Sequence, residues 1–265
     1  MRCCTSHPDH PCAVEAISTV TGGESALKRT RLGFWLQSDN PRACDVACSA
    51  GYDFVVFDME HGSLDLPAID NLVSLSLALG LTPCVRVAEA TRSHIQHALD
   101  VGASVVILPQ IEDADQAREV TRYAKYPPLG SRGLGYSRTE DCSGPPDAVI
   151  ARENERRWCF PMIETAGAFA DMAEIMSLPC VDGVFVGPSD LSLSRGRGMF
   201  SASQADIDDL RSIATCAGEA GKRWGAAAAN RKYRNEASKL GATFVAVADD
   251  LSALDVGFRA LLHGR

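Results

Sequence analysis

The feature that most constrains the fold is an alternation of strand-like and helix-like segments that repeats eight times from residue 31 onward. Strand-like apolar runs lie at 32–37, 54–59, 83–87, 104–109, 158–164, 183–187, 224–229 and 243–248. Segments with helical periodicity follow them near 41–50, 67–79, 91–101, 113–125, 166–176, 203–220, 231–240 and 251–262. Near-continuous apolar strands joined to helices by short links indicate parallel strands that helices cover.

Eight such units close naturally into one α/β domain, a (β/α)8 TIM barrel, which we expect over residues 31–265. Proline near helix starts, as at Pro41 and Pro67, and glycine after helix ends, as at Gly51 and Gly102, support these boundaries. A doubly wound open sheet is the alternative fold. It is disfavoured because no glycine-rich phosphate-binding loop follows the first strand.

Two segments fall outside the alternation. Residues 1–30 lack periodicity, and we expect a poorly ordered N-terminal extension there. A soft-metal cluster is the alternative interpretation of its cysteines and histidines, although their spacing fits no established pattern (Cys3, Cys4, His7, His10 and Cys12). Residues 126–157 are rich in glycine and proline and are predicted to be one long irregular stretch. Such a loop would act as a lid or an oligomer contact, or would be mobile without a function.

Charge and hydropathy exclude several classes of partner. A net charge of -8 and a pI near 5.3 argue against binding to nucleic acid or to an anionic membrane, because both need a basic surface. No apolar run approaches the roughly 18 residues that span a bilayer, and the N-terminus has no apolar signal-peptide core. The ten cysteines are scattered, several of them inside apolar runs, as is typical of reduced thiols. We therefore expect a cytoplasmic protein.

Polar side chains concentrate where the predicted strands end, most densely in the stretch VVFDMEHGS. Asp58, Glu60 and His61 follow an apolar strand there, although a strand end leaving the core for a polar loop would also explain this stretch alone. The other strand ends add Trp35, Gln37, Arg86, Gln110, Glu112, Glu164 and Asp190. In a barrel these ends meet at one rim, where active sites form. The sequence therefore predicts acid/base chemistry at that rim.

Glu164 and Asp190 lie at the ends of neighbouring predicted strands. Facing carboxylates repel each other unless a proton or a cation lies between them. A hard divalent ion that keeps some of its waters suits such a pair, and two protein ligands would leave positions open for a chelating substrate. The alternative is that each carboxylate pairs with a nearby arginine.

Arg86 and His61 complete the predicted chemistry. An inward-pointing guanidinium at Arg86 needs an anionic partner, which is either a substrate oxygen or a structural salt bridge to Asp58 or Glu60. His61 is the histidine at a strand end and is the natural general base near neutral pH. No lysine stands at a suitable strand end, which disfavours a Schiff-base aldolase.

Taken together, these motifs resemble the HpcH/HpaI family of class II, metal-dependent pyruvate aldolases. The resemblance covers residues 31–262 and rests on GFWLQS, GYDFVVFDMEH, PCVRV, ALDVGASVVILPQIEDADQA, YPPLGSRGLG, PMIET, VDGVFVGPSDLS, AGKRWG and LGATFVAV. It implies a barrel that is commonly a hexamer, a trimer of dimers that exchange their last helix. It further implies reversible cleavage of a 4-hydroxy-2-oxo acid to pyruvate, or a similar 2-oxo acid, plus an aldehyde. The implied cofactor is Mg, Mn, Co or Zn, with no organic cofactor.

The resemblance also implies roles for individual residues. Glu164 and Asp190 would hold the ion. His61 would be the base, with its basicity raised by Asp100, and Arg86 would stabilise the enolate. Ser189 would contact the substrate carboxylate, and Trp35 and Met162 would line the pocket. Two departures stand out. Met162 occupies a position that is often glutamine in the family, and GAAA (residues 225–228) stands where GIL is usual. Both departures predict a wider or less polar pocket.

Other activities remain open at this point. Decarboxylation of oxaloacetate would give the same enolate, either alone or coupled to carbon–carbon bond formation. A lyase acting on acyl-CoA thioesters is a further alternative, although no basic nucleotide groove is evident. A barrel that binds without catalysis would be favoured had His61, Glu164 or Asp190 been substituted, and all three are present.

Overall fold

The structure, a computed structural model, describes residues 29–135 and 146–264 and contains a closed barrel of eight parallel strands. Each strand pairs with its neighbours along the chain, and the first pairs with the last. The strands are β1 (Arg31–Leu36), β2 (Phe54–Asp58), β3 (Thr82–Arg86), β4 (Val105–Leu108), β5 (Trp158–Ile163), β6 (Gly183–Val186), β7 (Arg223–Ala227) and β8 (Phe244–Asp249). The predicted (β/α)8 barrel is thereby confirmed.

Helices cover the outside of the barrel. They are α1 (Pro41–Ser49), α2 (Leu66–Ala78), α3 (Arg92–Asp100), α4 (Ala114–Thr121), α5 (Pro146–Arg156), α6 (Ala166–Ala170), α7 (Met172–Ser177), α8 (Pro188–Ser194), α9 (Gln204–Glu219), α10 (Arg231–Lys239) and α11 (Asp250–His263). Short polar side chains begin many of them. Asp65 accepts a hydrogen bond from the N–H of Ala68, and Ser203 forms a reciprocal capping box with Asp206.

The helix pattern differs from the sequence prediction in three places. Helix α5 occupies part of 126–157, so the prediction of one long irregular stretch is wrong there; the alanine, glutamate and arginine residues of α5 favour helix despite the glycine and proline before them. The predicted helix 166–176 is interrupted at Asp171 into α6 and α7, and the short helix α8 was not predicted. Residues 136–145, in the middle of the predicted loop, and 1–28, in the predicted extension, lie outside the described residues.

Aromatic side chains fill the interior of the barrel. Phe54, Trp158 and Phe160 each lie within about 6 Å of Phe244, measured between ring centroids, in edge-to-face contacts. Trp35 packs on Phe185 nearer the carboxyl ends of the strands, with ring centroids 5.6 Å apart. The interior of the barrel is therefore filled with apolar side chains, and an open site forms beyond them, at the carboxyl ends of the strands.

Helix α11 differs from the other helices because its apolar side chains face solvent in the single chain. Its exposed apolar residues are Leu251, Leu254, Val256, Phe258, Leu261 and Leu262, which keep between 47% and 82% of their surface accessible. No described helix is long and apolar enough to cross a membrane.

Candidate active site

A cavity of about 310 Å³ opens at the carboxyl ends of the strands. Its walls include seven of the eight site residues predicted above: Trp35, His61, Arg86, Met162, Glu164, Ser189 and Asp190. The fold brings these residues together from β1, β3 and β5, from the connections after β2 and β5, and from the first turn of α8. Their proximity follows from the barrel, because parallel strands deliver their carboxyl ends to one rim.

Arg86 and Asp58 form a buried two-pronged ion pair beside this cavity. Arg86 Nε and Nη2 donate to the two carboxylate oxygens of Asp58 over 2.9 and 2.6 Å, and Trp35 Nε1 donates to Oδ2 over 2.9 Å. Burial alone would raise the pKa of Asp58, but the hydrogen bonds and charge of Arg86 and the Trp35 hydrogen bond outweigh it and lower the pKa below its ordinary value. Of the partners considered for Arg86, a structural salt bridge is therefore present.

Glu60 and His61 lie next to that pair. Arg86 Nη1 is 2.9 Å from Glu60 Oε2, and His61 Nε2 is 4.0 Å from the same oxygen. Burial raises the pKa of Glu60 despite the opposing charge of Arg86. The His61 side chain is 56% exposed. An accessible imidazole at the mouth of a cavity can exchange protons with both solvent and a bound molecule.

Glu164 is buried differently from Asp58. Its Oε1 accepts a 2.7 Å hydrogen bond from the N–H of Gln110, whereas its buried Oε2 has no hydrogen-bond partner within 29–135 and 146–264. Burial raises the pKa of Glu164 to about 7, and the negative charges of Glu60 and Asp190 act in the same direction. Such an oxygen needs a proton or a cation.

The backbone around Glu164 is shaped to approach it closely. Gln110 has a φ of +52°, a left-handed conformation that costs a non-glycine residue free energy, and this conformation presents its N–H to the carboxylate. A Cβ atom at Gly187 would lie 2.5 Å from Glu164 Oε2 and 2.9 Å from Met162 Cε. Glycine at 187 therefore lets the chain pass directly beside the carboxylate between β6 and α8, and the first turn of α8 carries Ser189 and Asp190.

The residues around Glu164 suit a divalent cation. A buried oxygen without a partner, a second carboxylate at Asp190 and an adjoining cavity supply hard oxygen ligands and space for waters or substrate. Within the described part of the chain, no group of three or more histidine, cysteine, aspartate or glutamate side chains is arranged to hold a metal ion. A divalent ion held by Glu164 and Asp190 would have two protein carboxylates as ligands, and waters or substrate would supply the others.

One wall of the cavity is built from alanines. Ala227, Ala228 and Ala229 from β7 and its continuation, with Ala246 and Ala248 from β8, all line it. The last two residues of GAAA, Ala227 and Ala228, therefore lie in the pocket wall at the end of the seventh strand. Methyl side chains leave space there that larger apolar residues would fill.

Asp100 is the predicted site residue that the fold of one chain does not bring to the cavity. It ends helix α3, and its Oδ1 accepts a 2.7 Å hydrogen bond from Arg132 Nη2. Neither the cavity lining nor any described contact of His61 includes Asp100. The prediction that Asp100 raises the basicity of His61 is therefore not supported inside a single chain, where Arg132 takes up its charge.

Sequence reasoning missed the contributions of two pairs of residues. Gln37 and Gln110 were placed at strand ends, but the 3.4 Å contact of Gln37 Nε2 with Asp58 and the N–H of Gln110 toward Glu164 were not foreseen. Asp249 lines the cavity, and Asp250 binds the β1–α1 connection. The available signal for the second pair was two aspartates directly after the last apolar strand.

Comparison with known proteins identifies the family of this chain. Residues 31–255 match the family described as HpcH/HpaI aldolase/citrate lyase. A hydroxypyruvate/pyruvate aldolase of Roseovarius nubinhibens is 36% identical over 84% of this chain and 87% of its own length, and a 4-hydroxy-2-oxo-heptane-1,7-dioate aldolase of Klebsiella pneumoniae is 32% identical over 90% and 91%. The crystal structure of an HpcH/HpaI aldolase from Desulfitobacterium hafniense superposes with a TM-score of 0.83 at 28% identity, over 91% of this chain and 94% of that one. This chain belongs to the HpcH/HpaI aldolase/citrate lyase family.

Proposed function

We propose that this protein is a divalent-metal-dependent aldolase. It would reversibly cleave a 4-hydroxy-2-oxo acid to pyruvate, or a related 2-oxo acid, and an aldehyde. The observation that carries the proposal is the buried Glu164 Oε2, which has no partner among the described residues and lies at a cavity that also contains Asp190, Arg86 and His61. The aldolase names of the relatives support the same reaction class.

Glu164 and Asp190 would hold the divalent ion, and the chemistry that the ion supplies when bound is electrostatic stabilisation of an enolate. Arg86 has five N–H donors, of which two donate to Asp58. Its Nη1 lies 2.9 Å from Glu60 Oε2 as an ion pair without a hydrogen bond, so N–H groups remain for a substrate oxygen. Because two carboxylates fix the guanidinium, it is preorganised and need not move as negative charge develops.

His61 acts as the base in the cleavage direction. Its imidazole, directly or through a water, takes the proton of the 4-hydroxyl group. The C3–C4 bond then breaks, its electrons form the enolate, and the aldehyde leaves; a proton delivered to C3 completes pyruvate. The N–H of Ser189 would contact the substrate carboxylate, and Trp35 and Met162 would form the apolar floor under it.

The alanine wall bears on which substrates fit. Five methyl groups on one side of the cavity leave space for a substituent larger than hydrogen on either half of the substrate. One relative is named for both hydroxypyruvate and pyruvate. We therefore include hydroxypyruvate beside pyruvate as a 2-oxo acid that this site takes in the synthesis direction.

A homo-oligomer is the second part of the proposal. The exposed apolar side chains of α11 need cover, and the groove of about 270 Å³ beside its first turns is lined by Phe34, Val46, Ala47, Ala253 and Leu254, among others. The resemblance implies an exchange of last helices between copies, and a second copy of α11 has matching apolar chemistry. Light scattering tests this: the wild type should be oligomeric, and Leu261→Ser with Leu262→Ser should weaken the assembly.

The activity test measures pyruvate release from a 4-hydroxy-2-oxo acid, coupled to lactate dehydrogenase. Activity should disappear after EDTA treatment, return with Mg, Mn or Co, and be lost in Glu164→Gln and His61→Ala. His97→Ala, on the exposed face of α3, is the matched control and should keep wild-type activity. Pyruvate formed from oxaloacetate but from no 4-hydroxy-2-oxo acid would favour the decarboxylase instead. A folded protein that binds no divalent ion and turns over neither compound would contradict the proposal.

A further inference from the structure

We infer that Asp250 is a positioning residue that fixes the loop carrying His61, acting through the β1–α1 connection. The functional meaning of this role rests on the proposed function of His61. The geometry on which it stands does not, because it consists of backbone hydrogen bonds and close contacts at the rim.

Asp250 is the first residue of α11, and only 8% of its surface is accessible. Its Oδ1 accepts a 3.1 Å hydrogen bond from the N–H of Gln37, and its Oδ2 accepts a 3.2 Å bond from the N–H of Ser38 and another from the Ser38 hydroxyl. The helix does not need Asp250 as a cap, because Asp249 accepts from the N–H of Ser252 over 2.7 Å. The Asp250 carboxylate is thus directed at the connection after β1.

That connection in turn holds the residues after His61. The carbonyl oxygen of Gln37 accepts a 2.8 Å hydrogen bond from the N–H of Ser63. A Cβ atom at Gly62 would lie 2.2 Å from the carbonyl oxygen of Asp58 and 2.8 Å from that of Gln37. The two connections are in contact without space between them, so a shift of Gln37 displaces the backbone on the C-terminal side of His61.

The imidazole of His61 has few contacts of its own. Among the described residues, its side chain makes one ion-pair contact, in which Nε2 lies 4.0 Å from Glu60 Oε2. The backbone N–H of His61 donates to Asp58 Oδ1 over 3.2 Å. The backbone of residues 58–63 therefore sets where the imidazole lies. Asp58, bound to Arg86, fixes one end of that segment, and Gln37, bound to Asp250, fixes the other.

The Asp250 carboxylate has no ion-pair partner within the described ranges, so its burial depends on those three hydrogen bonds. The buried Asp250 carboxylate is stable only when the N–H groups of Gln37 and Ser38 point at it. Asp250 therefore restrains the backbone position of these two residues. Catalytic rates are sensitive to misplacement of a base by about 1 Å, on the order of a hundredfold.

The test compares Asp250→Ala with the wild-type protein by steady-state kinetics and by NMR of the His61 imidazole, assigned with His61→Ala. Asp250→Ala should lower kcat by roughly ten- to a hundredfold, leave the divalent-ion affinity within about twofold, and shift or broaden the His61 signal. Asp250→Asn keeps one acceptor oxygen and Ser38→Ala removes one of the three bonds, so both should show the same changes in smaller measure. These milder variants also decide the matter if Asp250→Ala does not fold.

Asp255→Ala is the matched control, because Asp255 lies on the same helix in an exposed pair with Arg259. It should leave kcat and the His61 signal as in the wild type. Folded Asp250 and Ser38 variants with kcat within twofold and an unchanged His61 signal would overturn the inference. If the wild type turns over no 4-hydroxy-2-oxo acid, the proposed function fails, and the NMR comparison still decides whether Asp250 positions His61.

Discussion

Two carboxylates buried in the same rim, Asp58 and Glu164, have opposite electrostatic environments. Asp58 is fully buried and receives two hydrogen bonds from Arg86 and one from Trp35, and its pKa is lowered. Glu164 keeps only 1% of its surface accessible and receives one backbone hydrogen bond, and its pKa is raised to about 7, mainly by burial. Burial is common to both, so the difference comes from their partners.

This difference in partners distinguishes Asp58, whose carboxylate has a structural role, from Glu164, whose carboxylate is suited to binding a cation. Asp58 has its cation in Arg86, and together they fix the β2–β3 side of the rim. Among the described residues Glu164 has no ion-pair partner, and its unpaired oxygen lies beside Gly187, which directly precedes the helix that carries Asp190. Removing either carboxylate should therefore have different consequences, which the following experiments measure.

The largest effect expected is on activity. Glu164→Gln should lower metal-dependent pyruvate release by on the order of a thousandfold, since the amide is a poor ligand for a hard cation and removes one of two carboxylates. The measurement is kcat/KM at saturating divalent ion. Glu174→Gln, an exposed glutamate paired with Arg118, is the control and should be indistinguishable from the wild type. A Glu164 variant with more than a tenth of wild-type activity would mean that the ion is held elsewhere.

Asp58→Asn should chiefly affect stability. It leaves the Arg86 guanidinium buried with one neutral neighbour in place of a carboxylate, at a cost of about 3 to 5 kcal/mol in the free energy of unfolding. Urea denaturation measures this. Asp45→Asn breaks only the exposed pair with Arg42 and should cost less than about 1 kcal/mol. Equal losses in the two variants would contradict the structural role of Asp58.

Glu164 should give the metal-free protein an unusual pH dependence. In the folded chain its pKa is about 7 against an ordinary 4.5, so between those values the folded state binds a proton that the unfolded state has lost. Stability due to this group therefore falls as pH rises through that window, by up to about 3 kcal/mol. Glu164→Gln should remove the effect, which makes the variant more stable than the wild type at pH 8 and equal to it near pH 4. Parallel curves of unfolding free energy against pH for the wild type and Glu164→Gln would show that Glu164 already has a partner.

Gln110→Gly tests the smallest effect. A positive φ strains a residue that carries a side chain, and glycine at position 110 would avoid this strain. The substitution keeps the backbone N–H that donates to Glu164. Thermal unfolding should show that the free energy of unfolding rises by up to about 1 kcal/mol. The greater conformational freedom of glycine in the unfolded chain reduces this gain. Divalent-ion affinity should stay within about threefold. A large loss of affinity would assign the Gln110 side chain, rather than its N–H, to the site.

The sequence predicted the barrel and the membership of the rim because both depend on local patterns. Apolar runs ending in Asp58, Arg86 or Glu164 mark strand ends, and a closed parallel barrel brings all such ends together. Helix α5 was missed because it adjoins a glycine- and proline-rich segment, and α8 because PSDLSLS is too short to show a helical period.

Pairing within the rim was harder to predict. Whether Arg86 meets Asp58 or a substrate depends on the β2–β3 register, which places Asp58 opposite Arg86 and which no single strand reveals. The positive φ of Gln110 and the link from Asp250 to Gln37, 213 residues apart in the chain, likewise arise only in the assembled barrel. Asp100 ends a helix in the sequence and in the structure, where Arg132 is its partner.

The most direct test of the contrast between Asp58 and Glu164 is the number of protons released when a divalent ion binds. Titration calorimetry with Mg or Mn in buffers of different ionisation enthalpy measures it. At pH 6, Glu164 holds a proton that a cation must displace, so about one proton should be released per ion, falling toward zero by pH 8.5. Glu164→Gln should abolish both binding and release. Tight binding without proton release at pH 6, or binding that survives in Glu164→Gln, would contradict the assignment of Glu164 as the carboxylate kept for the metal.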